Sequence, residues 1–174
     1  MTPRVVLVGL PGAGKSTTGR RLAKILAVPF TDTDLLIEQR EQVSIGDLFA
    51  NLGEQRFREI EADVVAAALE TIDGVLSLGG GALTSEATRA VISASAVPVV
   101  YLRATLDQLS QRVGDGRTRP LLSGNPEARL ALLAAERAAS YDELATITVD
   151  TDGRSPGQVA ATVAARLHER RSAR

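Results

Sequence analysis

The chain contains no cysteine and no tryptophan, one histidine, and only 3% aromatic residues over 174 positions. Without cysteine, disulfides and thiolate metal sites are excluded. With so few rings, stacking on single-stranded bases is poorly supported. Twenty basic residues stand against 21 acidic ones, a net charge of −1, so no global basic field argues for nucleic acid. Long apolar runs are missing too: no stretch approaches the roughly 18 residues of a membrane span. Near the N-terminus, Val5-Val6-Leu7-Val8 is far too short for the core of a signal peptide. The expectation is a soluble chain in a reducing compartment, most simply the cytoplasm, with neither nucleic acid nor membrane as partner. What remains is ordinary for a globular protein, 44% apolar and 24% charged. This length predicts one domain, residues 1–174, burying about 70% of its unfolded surface. There is no internal repeat and no low-complexity block.

The most informative stretch is Gly9-Leu10-Pro11-Gly12-Ala13-Gly14-Lys15-Ser16-Thr17. A G-x-x-x-x-G-K-[ST] string signifies a phosphate-binding loop only between a buried strand and a helix. Both flanks are present, Val5-Val6-Leu7-Val8 before it and a helical pattern through Leu22, Ile25 and Leu26 after it. The glycines let the backbone curl, so that its N–H groups from Gly12 to Thr17 and the positive end of the helix face one phosphate. Lys15 is expected at the β- and γ-phosphates and the Ser16 hydroxyl on Mg²⁺. The chain is expected to bind a nucleoside triphosphate.

Beyond the loop, short apolar runs alternate with longer helical patterns, the α/β signature. Strands are predicted at 5–8, about 29–31, 75–78, 99–102 and 146–149. Helices are predicted at about 15–26, from Ser44 to the break at Gly53, at 54–69, about 85–93, about 106–113, and after Asn125-Pro126 and Ser155-Pro156. The last six residues, 169–174, read as a solvated tail. The result is a three-layer α/β sandwich around a mainly parallel sheet of about five strands. Ligands in such sheets collect at the carboxyl ends of the strands. The loop, the pair Asp32/Asp34 and Gly79-Gly80-Gly81 all follow predicted strands, so they should converge on one crevice.

In phosphoryl transfer one carboxylate is wanted near Mg²⁺ and another near the acceptor hydroxyl, and Asp32 and Asp34 suit those places. Asp-x-Asp is also common turn chemistry. Three glycines after a buried strand suggest close approach to a ligand, or a merely flexible turn. Arg58 and Glu61, three apart on one helix, can pair, as an ordinary surface pair or as part of a site. Arg117 and Arg119 lie on a Gly/Pro-rich segment expected to be mobile. They could be solvated, or be delivered to the phosphates by a closing loop that excludes water. Arg137 beside Glu136 reads first as a helix-surface charge. His168 is assigned no catalytic role.

Taken together, the loop, Asp32-Thr33-Asp34, Phe57-Arg58-x-x-Glu61, Gly79-Gly80-Gly81, Arg119-Pro120-Leu121-Leu122 and Arg137 with Tyr141 resemble the shikimate kinases, over essentially the whole chain. The resemblance implies a P-loop kinase fold with acceptor-binding helices at about 33–62 and a lid at about 113–125. It implies phosphorylation of the 3-hydroxyl of shikimate with Mg·ATP, on the route to chorismate and the aromatic amino acids; a monomer is the default expectation. By the family pattern, Asp34 contacts the shikimate hydroxyls and accepts the reacting proton, and Arg58 and Arg137 clamp the carboxylate. Gly79, Gly80 and Gly81 line the acceptor, with backbone donors from Gly80 and Gly81. Glu61 accompanies Arg58, and Phe49 and Phe57 form the apolar wall. Ser16 and, through water, Asp32 hold Mg²⁺. Lys15 and the lid residue Arg119 serve the phosphates, Arg112 stacks on adenine, and Arg154 with Pro156 borders it. Arg117 is an additional lid arginine. Ser77 stands where other NTPases carry an acidic residue, leaving the acidic metal contact to Asp32. A related small-molecule kinase (gluconate kinase-like) and a non-catalytic nucleotide sensor are the rival functions.

Overall fold

Four consecutive apolar side chains leave a strand no polar face, so it must be covered on both sides. In the computed structural model, which describes residues 2–113 and 125–173, β1 (Pro3–Val8) lies at the centre of a five-stranded sheet of order β2-β3-β1-β4-β5. Val5 to Val8 are at most 1% exposed. Its neighbours are β3 (Gly74–Ser77) and β4 (Val99–Arg103), with β2 (Phe30–Asp32) and β5 (Ile147–Asp150) at the edges. All of these pairings are parallel. The register sets Asp32 beside Ser77 and Ser77 beside Leu7, so the carboxyl ends of β2, β3 and β1 finish level with one another. That alignment brings three separate loops to one edge of the sheet.

On one face α1 (Lys15–Leu26) packs against α7 (Pro156–Ser172). The other face is covered by α3 (Ile45–Thr71), α4 (Glu86–Ser95) and α6 (Pro126–Leu144), with α5 (Leu106–Val113) leaning on α6. This is the predicted three-layer sandwich, with a sheet wholly parallel among the described residues. Helix starts follow their signals. Ser44, Asn125 and Ser155 accept from the N–H three residues on, and Ser155 forms a full capping box with Gln158. Gly53, at φ 75°, interrupts α3 as expected.

Two elements differ from expectation. Between Asp32 and Ser44 the chain forms α2 (Thr33–Glu41), which periodicity hides because its apolar residues make no sustained stripe. The expected tail at 169–174 continues α7 as far as Ser172. α2 and α3 also enclose a second, smaller apolar cluster, Ile37, Leu48, Phe57, Ile60 and Val64, apart from the sheet core. The predicted lid at 113–125, with Arg117 and Arg119, lies outside the described residues except for its two ends.

Candidate active site

Leaving β1, the backbone enters left-handed conformations at Gly12 (φ 87°) and Gly14 (φ 88°), which glycine adopts without steric cost. Gly14 caps α1 without a side-chain acceptor, and the first turn carries no acidic residue. The N–H groups there are therefore directed at the loop with no built-in anion competing for them. Lys15 Nζ donates to the carbonyls of Gly9 (2.8 Å) and Leu10 (3.2 Å), folded back over the loop's own concavity. Ser16 Oγ donates to Asp32 Oδ2 at 3.0 Å, while Asp32 Oδ1 accepts the Asp34 N–H at 3.1 Å. Asp32 thus caps α2 and fixes Ser16 together, so its turn role and its site role coexist.

Beside the loop a cavity of about 360 Å³ is lined by Gly12, Ala13, Gly14, Thr17, Arg112, Thr151, Arg154 and Pro156, among others. Arg112 donates to the Thr151 hydroxyl (2.9 Å) and carbonyl (3.0 Å), which lays its guanidinium along the cavity wall. Arg154 donates to the carbonyls of Asp150 (3.1 Å) and Gln158 (3.3 Å) and to the Thr162 hydroxyl. The predicted adenine-side residues therefore share one cavity with the loop. Thr151 was not anticipated; a lone threonine after a strand carries no signal in sequence. A larger cavity of about 550 Å³, beside Pro3, Pro98 and His168, opens at the far end of the strands and contains none of the predicted residues.

On the other side of the loop, Asp34 and Glu61 converge on Gly79. A Cβ on Gly79 would lie 2.6 Å from Asp34 Oδ1 and 2.7 Å from Glu61 Oε1, so only glycine leaves room for both carboxylates. Thr33 Oγ1 accepts the Gly79 N–H at 3.1 Å. Glu61 is 1% exposed and accepts from Arg58 Nη1 at 2.7 Å, which makes this a buried ion pair rather than a surface one. Arg58 lies 5.6 Å over the ring of Phe49 and 5.3 Å over that of Phe57, and the rings stack at 4.3 Å. Phe49 and Phe57 thus form an apolar wall beneath a cation.

Arg137 corrects the surface reading: it is 4% exposed, and its Nη1 donates to the Gly80 carbonyl at 2.8 Å. The Nε atoms of Arg58 and Arg137 are buried without a partner. Two guanidinium groups with unfilled donors beside three glycines form a cradle suited to a planar carboxylate. The electrostatics are mixed. Burial raises the Asp34 carboxyl above its ordinary value, the Asp32 charge adds to this, and Lys15 and Arg58 oppose it. Burial likewise raises Glu61, against the pull of Arg58. A carboxylate with raised proton affinity, next to an anion loop, can accept a proton from a hydroxyl.

Residues 11–168 match the family described as shikimate kinase. The chain belongs to the shikimate kinase family. The shikimate kinase of Mycobacterium tuberculosis is 52% identical over 168 residues, 96% of this chain and 94% of its own. The solved structure of shikimate kinase from Acinetobacter baumannii in complex with shikimate is 33% identical, with a TM-score of 0.91 over 98% of this chain and 94% of that one. A gluconokinase from Sinorhizobium meliloti reaches a TM-score of 0.64 at 18% identity, over 97% of this chain and 93% of its own, a likeness of fold alone. No helix among the described residues is long and apolar enough to cross a membrane.

Proposed function

We infer that this chain transfers the γ-phosphoryl group of ATP to the 3-hydroxyl of shikimate, giving ADP and shikimate 3-phosphate for the synthesis of chorismate and the aromatic amino acids. The observation that carries this reading is the acceptor cradle: a half-buried Asp34 carboxylate flanked by Arg58 and Arg137 around Gly79–Gly81. A ring bearing a carboxylate and vicinal hydroxyls matches that donor and acceptor set. Arg58 and Arg137 hold the carboxylate, Phe49 and Phe57 pack against the ring, and Asp34 accepts from the hydroxyls.

Lys15 exchanges its two carbonyl partners for phosphate oxygens when the nucleotide enters, and the α1 N-terminus and loop N–H groups take the rest of that charge. As the 3-hydroxyl oxygen bonds to the γ-phosphorus and the bond to the ADP oxygen breaks, the hydroxyl proton passes to Asp34. Phosphoryl transfer asks for positioning and charge neutralisation more than for a strong base, so one aspartate suffices. Mg²⁺ fits between the loop and β2, since Ser16 Oγ and Asp32 Oδ2, 3.0 Å apart, are hard oxygen donors. No group of three or more His, Cys, Asp or Glu among the described residues could cage a metal, which suits an ion that keeps waters and shares phosphate oxygens. Ser16 and Asp32 would hold Mg²⁺ there, and the ion would supply charge neutralisation at the phosphates. Arg112, Arg154 and Pro156 border adenine, and Arg119, outside the described residues, serves the phosphates by the family pattern. The whole chain works as one cytoplasmic P-loop kinase domain and as a monomer.

ADP release from Mg·ATP, compared with shikimate, gluconate, quinate and no acceptor, tests the assignment. Shikimate-dependent release yielding a 3-phosphate is the expected result. ATP binding without any acceptor-dependent release would instead establish a nucleotide sensor.

A further inference from the structure

We propose that Tyr141 is a positioning residue for the acceptor: together with Arg137 it pins the Gly80 carbonyl and so aims the Gly81 N–H into the acceptor crevice. The proposal rests on the shikimate reading above and extends it to a residue that touches no substrate itself.

Tyr141 follows Arg137 by four residues on α6, so the two side chains share a face. The Tyr141 hydroxyl donates to the Gly80 carbonyl at 2.5 Å and Arg137 Nη1 donates to the same oxygen at 2.8 Å. A carbonyl oxygen offers two lone pairs, and both are taken. This matters because three successive glycines restrain one another little, and a peptide between two of them can rotate at low cost. The peptide bonds are trans throughout the described residues. In a trans unit the N–H points opposite to the C=O. Holding the Gly80 carbonyl against α6 therefore turns the Gly81 N–H away from α6. Within the turn, Ala82 N–H goes to the Gly79 carbonyl and Thr84 N–H to the Gly81 carbonyl, and no bond among the described residues uses the Gly81 N–H. Gly81 also carries no side chain to screen that amide, and a Cβ there would have to displace the Arg58 guanidinium.

Sharing the clamp with Tyr141 leaves part of the Arg137 fork for a ligand; its Nε is buried and unpartnered. Burial pushes the Tyr141 phenol up to about 12, so it remains a donor across the working range. A packing role alone would reside in the ring, which stacks on Tyr101 at 4.9 Å. Tyr141→Phe keeps that ring and removes only the donor.

The experiment is Tyr141→Phe in the full chain, with KM and kcat for both substrates measured beside the unmodified protein. KM for shikimate is expected to rise about three- to tenfold, as for the loss of one buried hydrogen bond, with kcat changing less and KM for ATP unchanged. An unaltered KM for shikimate overturns the proposal while leaving the shikimate reading intact. Failure of the unmodified protein to turn over shikimate overturns both. A second measurement needs no variant: titration of the unmodified protein with shikimate, followed by amide NMR, should move the Gly81 N–H downfield. A Gly81 amide indifferent to saturating shikimate overturns the proposal whatever the variant does.

Discussion

Asp34 is a carboxylate in a place that disfavours its charge. Burial and Asp32 raise its proton affinity, and Lys15 and Arg58 restore only part of the loss. Since the folded state binds this proton more tightly than the unfolded chain does, the stability that Asp34 contributes is complete below the unfolded carboxylate pKa. It is lost as pH rises through the raised folded value, and Glu61 behaves with the same sign. At neutral pH an ionised Asp34 therefore costs stability that an amide would not. Asp34→Asn is expected to melt at a higher temperature than the unmodified protein while kcat falls by about 100-fold or more and ATP affinity barely changes. Calorimetry and steady-state kinetics on the same sample check both halves. For the unmodified protein, kcat/KM for shikimate should decline on acidification at a higher pH than an ordinary aspartate would give, because the base must be ionised to accept a proton. Lys15 and Ser16 were legible as functional because a local motif defines them. Arg137 was nameable only by likeness to a family, because only the packing of α6 against the turn after β3 buries it.

Among elements, the turn leaving β3 is the most constrained. Gly79 is not in the left-handed region, so alanine there is permitted by the backbone and tests space alone. Its Cβ would displace Asp34 and Glu61, each under 3 Å from it. A shift on the order of 1 Å at a reacting group costs on the order of 100-fold in rate. Gly79→Ala is accordingly expected to lower kcat/KM for shikimate by about that factor, with KM for ATP little changed. A kinetically normal Gly79→Ala enzyme would show that the carboxylates can move aside freely. The caps of α3, α6 and α7 were readable because an N-cap acts within four residues. α2 was hidden because its apolar residues make no sustained stripe, although Asp32 caps its start.

At the scale of the molecule, two apolar clusters divide the work. The sheet core holds the nucleotide loop, and the smaller cluster of Ile37, Leu48, Phe57, Ile60 and Val64 holds the acceptor helices. A cluster of five side chains gives α2 and the start of α3 fewer buried contacts than the strands have, so they should open at lower free energy. Native-state hydrogen exchange is expected to show residues 33–62 exchanging by sub-global opening, well before β1 and β3. Shikimate should slow that exchange, since Arg58 and Phe57 belong to the same helix as the cluster. Amides of α2 as protected as those of β1 would show one cooperative unit instead.

The sequence alone determined the α/β class, the place of each strand, the phosphate loop and the capped helix starts. All of these arise from interactions within a few residues, whose geometry the local chain dictates. The set Asp34, Arg58, Glu61 and Arg137 was nameable only by likeness to a family. Residues tens of positions apart meet when parallel strands align their carboxyl ends, and the sequence records no distance between them. Only the tertiary structure decided that Glu61 and Arg137 are buried, that burial raises the proton affinity of Asp34, and that Gly79 and Gly81 leave space for their neighbours. Burial, desolvation and close approach are properties of the packed assembly and of no segment within it.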